Sequence, residues 1–437
     1  MARRRPRPGG GEAAVGSGGF SFTVLGGVPG GPRWGRLVTP HGEVDTPAFM
    51  PVGTQAAVKA LDPAEVAAAG TRMVLCNTYH LFLRPGPEVV AAAGGLHRFM
   101  GWPGPILTDS GGFQVMSLRP LSRVEEEGVR FRSHLDGSER MLTPELSVAV
   151  QEALGADIIV PLDHCLPYPS DPLALADAAE RTLRWAKRSL EARTRGDQAM
   201  FAVVQGGHDP ALRAEMVRAL STLGFDGYAI GGLMVGESKG LMYRVLEQVA
   251  PLLPEGSPRY LMGVGSPDDL VESVVRGMDL FDCVLPTRLA RHGTLLTGRG
   301  PVVLRNARWA REFGPPDPGC PCPVCGRFST AYLRHLFKAG EPLGPRLASL
   351  HNLYFIQGLM SRLRAALESG GLEALRREVG RVYGPRPGAS AATGSERPRQ
   401  EGFGPRASNL CQESRSGTPG QKRRNADACT HAGSSGW

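Results

Sequence analysis

No apolar run in this 437-residue chain approaches the ~20 residues that a membrane-spanning helix requires, so no membrane association is expected. Behind the basic residues at the start there is no apolar core, so a secretory signal is not expected either. The Pro and Gly residues mixed with those arginines oppose an amphipathic presequence. A disulfide framework is also missing. There are eight cysteines in a long chain, and the three crowded into 320–325 point to metal binding in a reducing cytoplasm. Neither a Walker-type phosphate loop nor a dinucleotide fingerprint occurs. Net charge is scarce in the body of the chain. Of the net +8, residues 1–18 hold +3 and residues 384–437 hold +4, leaving about +1 for everything between. A broad basic surface is therefore excluded, and any nucleic-acid contact must be a local patch.

What is present is ordinary for a globular enzyme: 41% hydrophobic and 21% charged residues. The length fits two domains, or one barrel of about 250 residues with additions. Residues 1–18 (Arg-Pro repeats and a Gly run) and 384–437 (Gly, Ser, Pro, Arg and Ala) hold too little apolar surface to offset ordering entropy, and both are expected to be disordered basic tails. Between them lie eight short apolar runs, at 49–52, 73–76, 106–107, 158–161, 201–204, 228–233, 260–264 and 280–285. Segments with helical apolar spacing, such as 174–193 and 268–278, separate them. Strands apolar on both faces and separated by helices indicate a parallel sheet covered on both sides, and eight such units favour a closed (β/α)8 TIM-like barrel over an open sheet.

Barrel active sites lie at the C-terminal ends of the strands. The residues there are Asn77, Asp109 with Ser110-Gly111-Gly112, Asp163, Gln205-Gly206-Gly207, Gly231-Gly232, Met262-Gly263 and Asp282. One such carboxylate is often a helix cap. Three of them, with an amide and several Gly pairs whose backbone a ligand can approach, suit a planar molecule rich in hydrogen-bonding edges, such as a nucleobase. Separately, Cys320, Cys322 and Cys325 give a C-x-C-x-x-C knuckle, and a fourth ligand from His351 or His335 would close a structural Cys3His zinc site with no open position for water.

These pieces together resemble the tRNA-guanine transglycosylase (queuine tRNA-ribosyltransferase) family, in its bacterial form. The resemblance is carried by TPAFMPVGTQAAVKAL from Thr46, LTDSGGFQVMSL from Leu107, VQGG from Val204 and AIGGLMVGE from Ala229. It continues through LMGVGSPDDL from Leu261, DLFDCVLPTR from Asp279, and the cysteine knuckle through HNLYF from His351, covering residues 20 to 380. It implies a (β/α)8 catalytic domain over 19–383, including a zinc-binding subdomain at about 305–355. The implied reaction exchanges guanine at wobble position 34 of tRNAs with GUN anticodons (Asp, Asn, His and Tyr acceptors) for 7-aminomethyl-7-deazaguanine, in a cytoplasmic homodimer. Asp282 is implied as nucleophile and Asp109 as general acid/base.

By the same resemblance Ser110, Gly111, Gly112, Asp163, Gln205, Gly232 and Leu233 belong to the base pocket, with Phe113 and Met262 sandwiching the ring. Two segments are implied to hold the anticodon loop: Gly263, Val264, Gly265, Ser266, Pro267, Asp268 and Asp269, and Thr287, Arg288, Leu289, Ala290 and Arg291. Cys320, Cys322, Cys325 and His351 are implied as ligands of one structural zinc ion per subunit. Val235 and Cys165 narrow the pocket toward the small aminomethyl base, with the Leu233 carbonyl facing it and Glu237 behind. Met234, His164 and Leu289 depart from the family pattern, where a smaller residue, Glu and Asn are usual. Two other readings stand beside this one. A non-catalytic tRNA-binding partner subunit is opposed by the presence of both Asp109 and Asp282, and a zinc hydrolase by the lack of histidines at the strand ends.

Overall fold

The computed structural model describes residues 14–15, 19–117 and 121–385. Most of the two tails expected to be disordered, 1–18 and 384–437, lies outside the described residues. All eight apolar runs form parallel strands, named β1 to β8 in barrel order: Ala48–Gly53, Val74–Asn77, Ile106–Asp109, Ile158–Ile159, Ala199–Val204, Gly227–Ile230, Arg259–Leu261 and Leu280–Cys283. Each pairs with the next, and β8 pairs with β1 to close the barrel. Four runs stop short of their apolar ends; that at 158–161 keeps only Ile158–Ile159, and the other three stop for visible reasons. The first and second, β6 and β7, run into Gly232 and Gly263, which take left-handed backbone angles of +67° and +77°. In the third, Leu285 opens a helix, Leu285–Arg291, instead of continuing β8.

Alternation along the strands divides the core. In β5, Ala199, Phe201 and Val203 point into the barrel, while Met200, Ala202 and Val204 face the helices. The inner layer continues into an antiparallel sheet built from Ala14–Val15, Ser21–Gly27, Arg33–Thr39 and Gly42–Thr46. Phe20, Phe22, Leu37 and Val44 from this region close the N-terminal mouth, with Phe20 edge-on to Phe201 at 5.8 Å. The opposite mouth is left open.

The long intervening segments form Pro172–Ala192 and Pro267–Val275, each begun by a capping side chain, Asp171 or Ser266, followed by Pro. A second antiparallel sheet, Ser122–Val124, Val129–Arg132 and Glu139–Leu142, is inserted between β3 and β4. After β8 the chain forms a short hairpin, the cysteine knuckle, and the helices Thr330–Ala339 and Leu343–Ser369. No helix among the described residues is long and apolar enough to cross a membrane.

Candidate active site

Register brings the polar strand ends together at the open mouth. Asn77 lies opposite Asp109 across the β2–β3 pair, and Asp282 lies opposite Met50 across β8–β1. They line a cavity of about 520 Å³ together with Asp163, Gln205, Gly232, Tyr260 and Met262.

Asp109 is buried and fully engaged. Its Oδ2 accepts from the Asn77 amide at 2.6 Å and from Gln114 at 3.3 Å, and its Oδ1 accepts from the Thr78 N–H at 3.0 Å. Burial nevertheless pushes its pKa up to about 7, helped by the nearby Asp282 charge and opposed by the Thr78 and Asn77 bonds. Asp282 has a different environment. Only its Oδ1 is bound, by the Tyr260 hydroxyl at 2.6 Å and the Gly263 N–H at 2.8 Å. Burial raises its pKa, while those two donors hold it down. Its Oδ2 takes no hydrogen bond among the described residues, and the residue lines the cavity. One carboxylate is thus held near neutrality, and the other is oriented with an oxygen to spare.

The third carboxylate, Asp163, is buried. It accepts from Gln205 Nε2 at 2.6 Å and from Ser110 Oγ at 3.4 Å, which ties two strand ends into one polar edge. Leu233 is buried and Phe113 half exposed, and both line the cavity. Gly111, at φ +79°, leaves no room for a side chain, since a Cβ there would lie 2.9 Å from the Tyr79 nitrogen. Glu237 Oε2 accepts from the Val235 N–H at 3.0 Å, and its other oxygen accepts from Met234 N–H. Because a trans peptide holds N–H and C=O opposed, the Leu233 carbonyl faces away from Glu237. Met234 itself takes φ +61° and is 44% exposed at the cavity rim.

The two segments expected to hold an anticodon loop divide by accessibility. Val264, Gly265, Pro267, Asp268, Asp269, Thr287 and Ala290 are buried. Asp269, for example, is bound by Lys239 at 3.0 Å and by the Tyr243 hydroxyl at 2.6 Å. Gly263, Ser266, Arg288, Leu289 and Arg291 reach the surface to varying extents. Burial and the neighbouring Arg288 lower the pKa of Arg291, and burial and Arg291 lower that of Lys59. Such crowding of cations makes a local positive patch on a nearly neutral body.

Sequence reasoning missed Lys59, Gln114 and Tyr260. Tyr260 was hidden inside an apolar run, although a tyrosine inside a barrel needs a partner for its hydroxyl, and that need was the available signal. His164 is buried beside Arg181, whose guanidinium lies 3.2 Å from its Nδ1.

Away from the mouth, Cys320, Cys322, Cys325 and His351 converge, with sulfur to His351 Nδ1 distances of 3.8, 3.4 and 3.3 Å. A tetrahedral ion with metal–sulfur bonds of about 2.3 Å and a metal–nitrogen bond of about 2.0 Å spaces such atoms about 3.5 Å apart, so the set fits a metal ion. The other ring nitrogen of His351 lies 2.8 Å from the Leu296 carbonyl, which fixes the tautomer with Nδ1 free to ligate. His335 stands apart, beside Tyr332.

A second group, His41, His97 and Asp157, sits at the closed end of the barrel. Its nitrogen–oxygen contacts of 2.7 and 3.0 Å and its parallel rings 3.5 Å apart suit hydrogen bonding to one carboxylate. Stacked rings aim their lone pairs side by side and do not converge on one ion.

A family model described as "Queuine tRNA-ribosyltransferase" matches residues 30–385. The protein of that name from Pelotomaculum thermopropionicum is 59% identical over 354 residues, which cover 81% of this chain and 95% of that protein. The one from Moorella thermoacetica is 57% identical over 78% of this chain and 92% of its own. For the one from Bacillus cytotoxicus the figures are 53%, 81% and 94%.

Proposed function

Since the chain belongs to the queuine tRNA-ribosyltransferase family and is thereby a tRNA-guanine transglycosylase of queuosine synthesis, we propose that its open barrel mouth performs the exchange through Asp282 and Asp109. The observation that carries this reading is the contrast between the two carboxylates: Asp282, on the cavity wall, is fixed by one oxygen with the other left unbonded among the described residues, and Asp109 is buried with its pKa raised to about 7.

In this reading the free oxygen of Asp282 attacks the anomeric carbon of the wobble ribose. The glycosidic bond breaks, and its electron pair leaves with guanine, which takes a proton from Asp109. The entering base gives a proton back to Asp109 and bonds to the anomeric carbon, and Asp282 departs as a carboxylate. An exchange of one glycosidic bond for another needs no nucleotide or redox cofactor. Asp163, Gln205 and Gly232 read the base edge, and Phe113 and Met262 sandwich its ring. The wobble base must leave its stack to enter, which costs less in a single-stranded loop than in a duplex.

The entering base is 7-aminomethyl-7-deazaguanine. Cys165 and Val235 line the cavity where a larger substituent would go, and the Leu233 carbonyl, turned away from Glu237, suits an ammonium donor. Gly263, Ser266, Arg288, Leu289 and Arg291, with Lys59 beside them, form the anticodon contact for GUN tRNAs, and the buried members of the same segments support it. The ion at Cys320, Cys322, Cys325 and His351 is zinc. With four protein ligands it braces the C-terminal helices and takes no part in the chemistry. The setting is a bacterial cytoplasm and the working form a homodimer.

Labelled guanine incubated with a GUN-anticodon tRNA tests the reading. Incorporation at position 34, competed by 7-aminomethyl-7-deazaguanine, is expected. Folded, metal-loaded protein that incorporates no label at that position contradicts it.

A further inference from the structure

Arg213 is one of the largest fully buried side chains, yet it forms no ion pair among the described residues, and Glu237 is the carboxylate whose charge acts on it from beyond contact distance. It projects from the first turns of the Pro210–Ser221 helix, and three of its N–H groups are spent on backbone carbonyls: Nε to Gly207 at 2.7 Å, and the two terminal nitrogens to Val204 at 3.0 Å and Gly231 at 2.8 Å. Val204 and Gly207 bracket Gln205. Gly231 immediately precedes Gly232. The charge therefore lies behind the two neighbouring strand ends that carry base-reading groups.

We propose that Arg213 is a positioning residue for base recognition, fixing the ends of β5 and β6 so that Gln205 and the Gly232 N–H present a preset pair of hydrogen-bonding groups to the cavity. This rests on the reading that Gln205 and Gly232 hold the base.

Three features support it. The first is peptide geometry. With the Gly231 carbonyl drawn onto the guanidinium, the N–H of the same trans peptide, that of Gly232, points the opposite way, toward the Cys165 thiol on the cavity wall. A cation on the carbonyl also polarises that peptide, making its N–H a stronger donor.

The second is close approach. A Cβ on Gly206 would lie 2.9 Å from Arg213 Cγ, and one on Gly232 would lie 2.5 Å from Gln205 Oε1. Both loops therefore wrap the side chain and each other with no side chain between. The third is cost. Burial lowers the pKa of Arg213 to about 10, so the fold carries an unfavourable buried cation in a place where packing alone would be served by an apolar residue. The planar fork meets three carbonyls at fixed angles, which neither Lys nor Gln can do.

Steady-state exchange with the full chain tests this, with guanine varied at saturating tRNA and tRNA varied at saturating guanine. Arg213→Gln is expected to raise the KM for guanine about ten-fold, the scale of one or two displaced hydrogen bonds, while the KM for tRNA stays within about two-fold. Arg213→Lys, which keeps the charge and reaches fewer carbonyls, is expected to fall between Gln and wild type. An Arg213→Gln protein with wild-type metal content and circular dichroism, and an unchanged KM for guanine, overturns the proposal. If that variant does not fold, Arg213→Lys decides by the same criterion. Gln205→Ala serves as the reference. If it too leaves the KM for guanine unchanged, the base-site reading fails; if it raises that KM while the Arg213 variants do not, only the positioning role fails.

Discussion

At the residue scale, function depends on environments more than on residue identities. Asp109, Asp163 and Asp282 are the same side chain at three strand ends, separated chemically by what surrounds each. With Asp109 titrating at about 7, its protonated form dominates below that pH and its ionised form above. In the proposed mechanism loss of guanine needs the proton, so the single-turnover rate of that step should fall as pH rises through about 7. Entry of the new base needs the ionised form and should slow as pH falls through the same value, giving overall exchange a maximum near neutrality. Rapid-quench measurement of each half-reaction across pH 5–9 checks this, and two halves with the same pH slope would contradict it.

Asp109 was legible in the sequence because it follows an apolar run, and Asp282 because it interrupts one. Tyr260 and Arg213 were not. The first reads as part of an apolar strand and the second as a surface residue of an amphipathic helix. Their roles come from what the folded chain places opposite them.

At the scale of elements, all eight strands were legible, because each is apolar on both faces and bounded by turn residues. The Cys320–Cys325 knuckle was legible from spacing, and the convergence of His351 on it reports tertiary packing. The two antiparallel sheets went unread. Ser122–Val124 is only three residues long, and the strands near the N-terminus carry surface polar residues that mask their inward face. The run at 228–233 was overshot because Leu233 is apolar yet lies past the bend at Gly232.

The N-terminal sheet is clasped to the barrel floor by Asp157, which accepts from the Ile106 N–H at 2.8 Å and lies within hydrogen-bond distance of His41 and His97. Burial works against ionised Asp157, but the His97, Ile106 and His41 bonds outweigh it, and its pKa is lowered. A carboxylate with a lowered folded-state pKa contributes fully above the ordinary carboxylate range and loses that contribution as pH falls through the folded value. Asp157→Asn should therefore cost about 3 kcal/mol at pH 7 and progressively less in acid, as read by denaturant unfolding at several pH values. An equal deficit at pH 7 and pH 3 would contradict the ionised clasp.

At the scale of the whole molecule, the chain separates support from chemistry. The N-terminal sheet closes one mouth, the candidate active site opens at the other, and the Cys3His cluster lies outside the barrel. Cys322→Ser should therefore release the ion and lower stability by several kcal/mol, while whatever protein remains folded keeps its affinity for guanine. Metal analysis with thermal unfolding checks the first part and equilibrium guanine binding the second; unchanged metal content would contradict the ligand set. The near-neutral body also predicts a shallow salt dependence of tRNA binding, with a log–log slope of about −2 to −4, because only a few cations meet the RNA. A slope near −8, measured by filter binding, would mean that a much larger basic surface takes part.

The most direct measurement is of the bond itself. The protein is mixed with a GUN-anticodon tRNA in the absence of an entering base, denatured and digested, and the peptides are mapped by mass spectrometry. A tRNA fragment lacking its wobble base and attached through the ribose to Asp282 is predicted, with no adduct in Asp282→Asn although that variant still binds tRNA. An adduct on another residue, or one that persists in Asp282→Asn, would contradict the assignment of the nucleophile and the mechanism built on it.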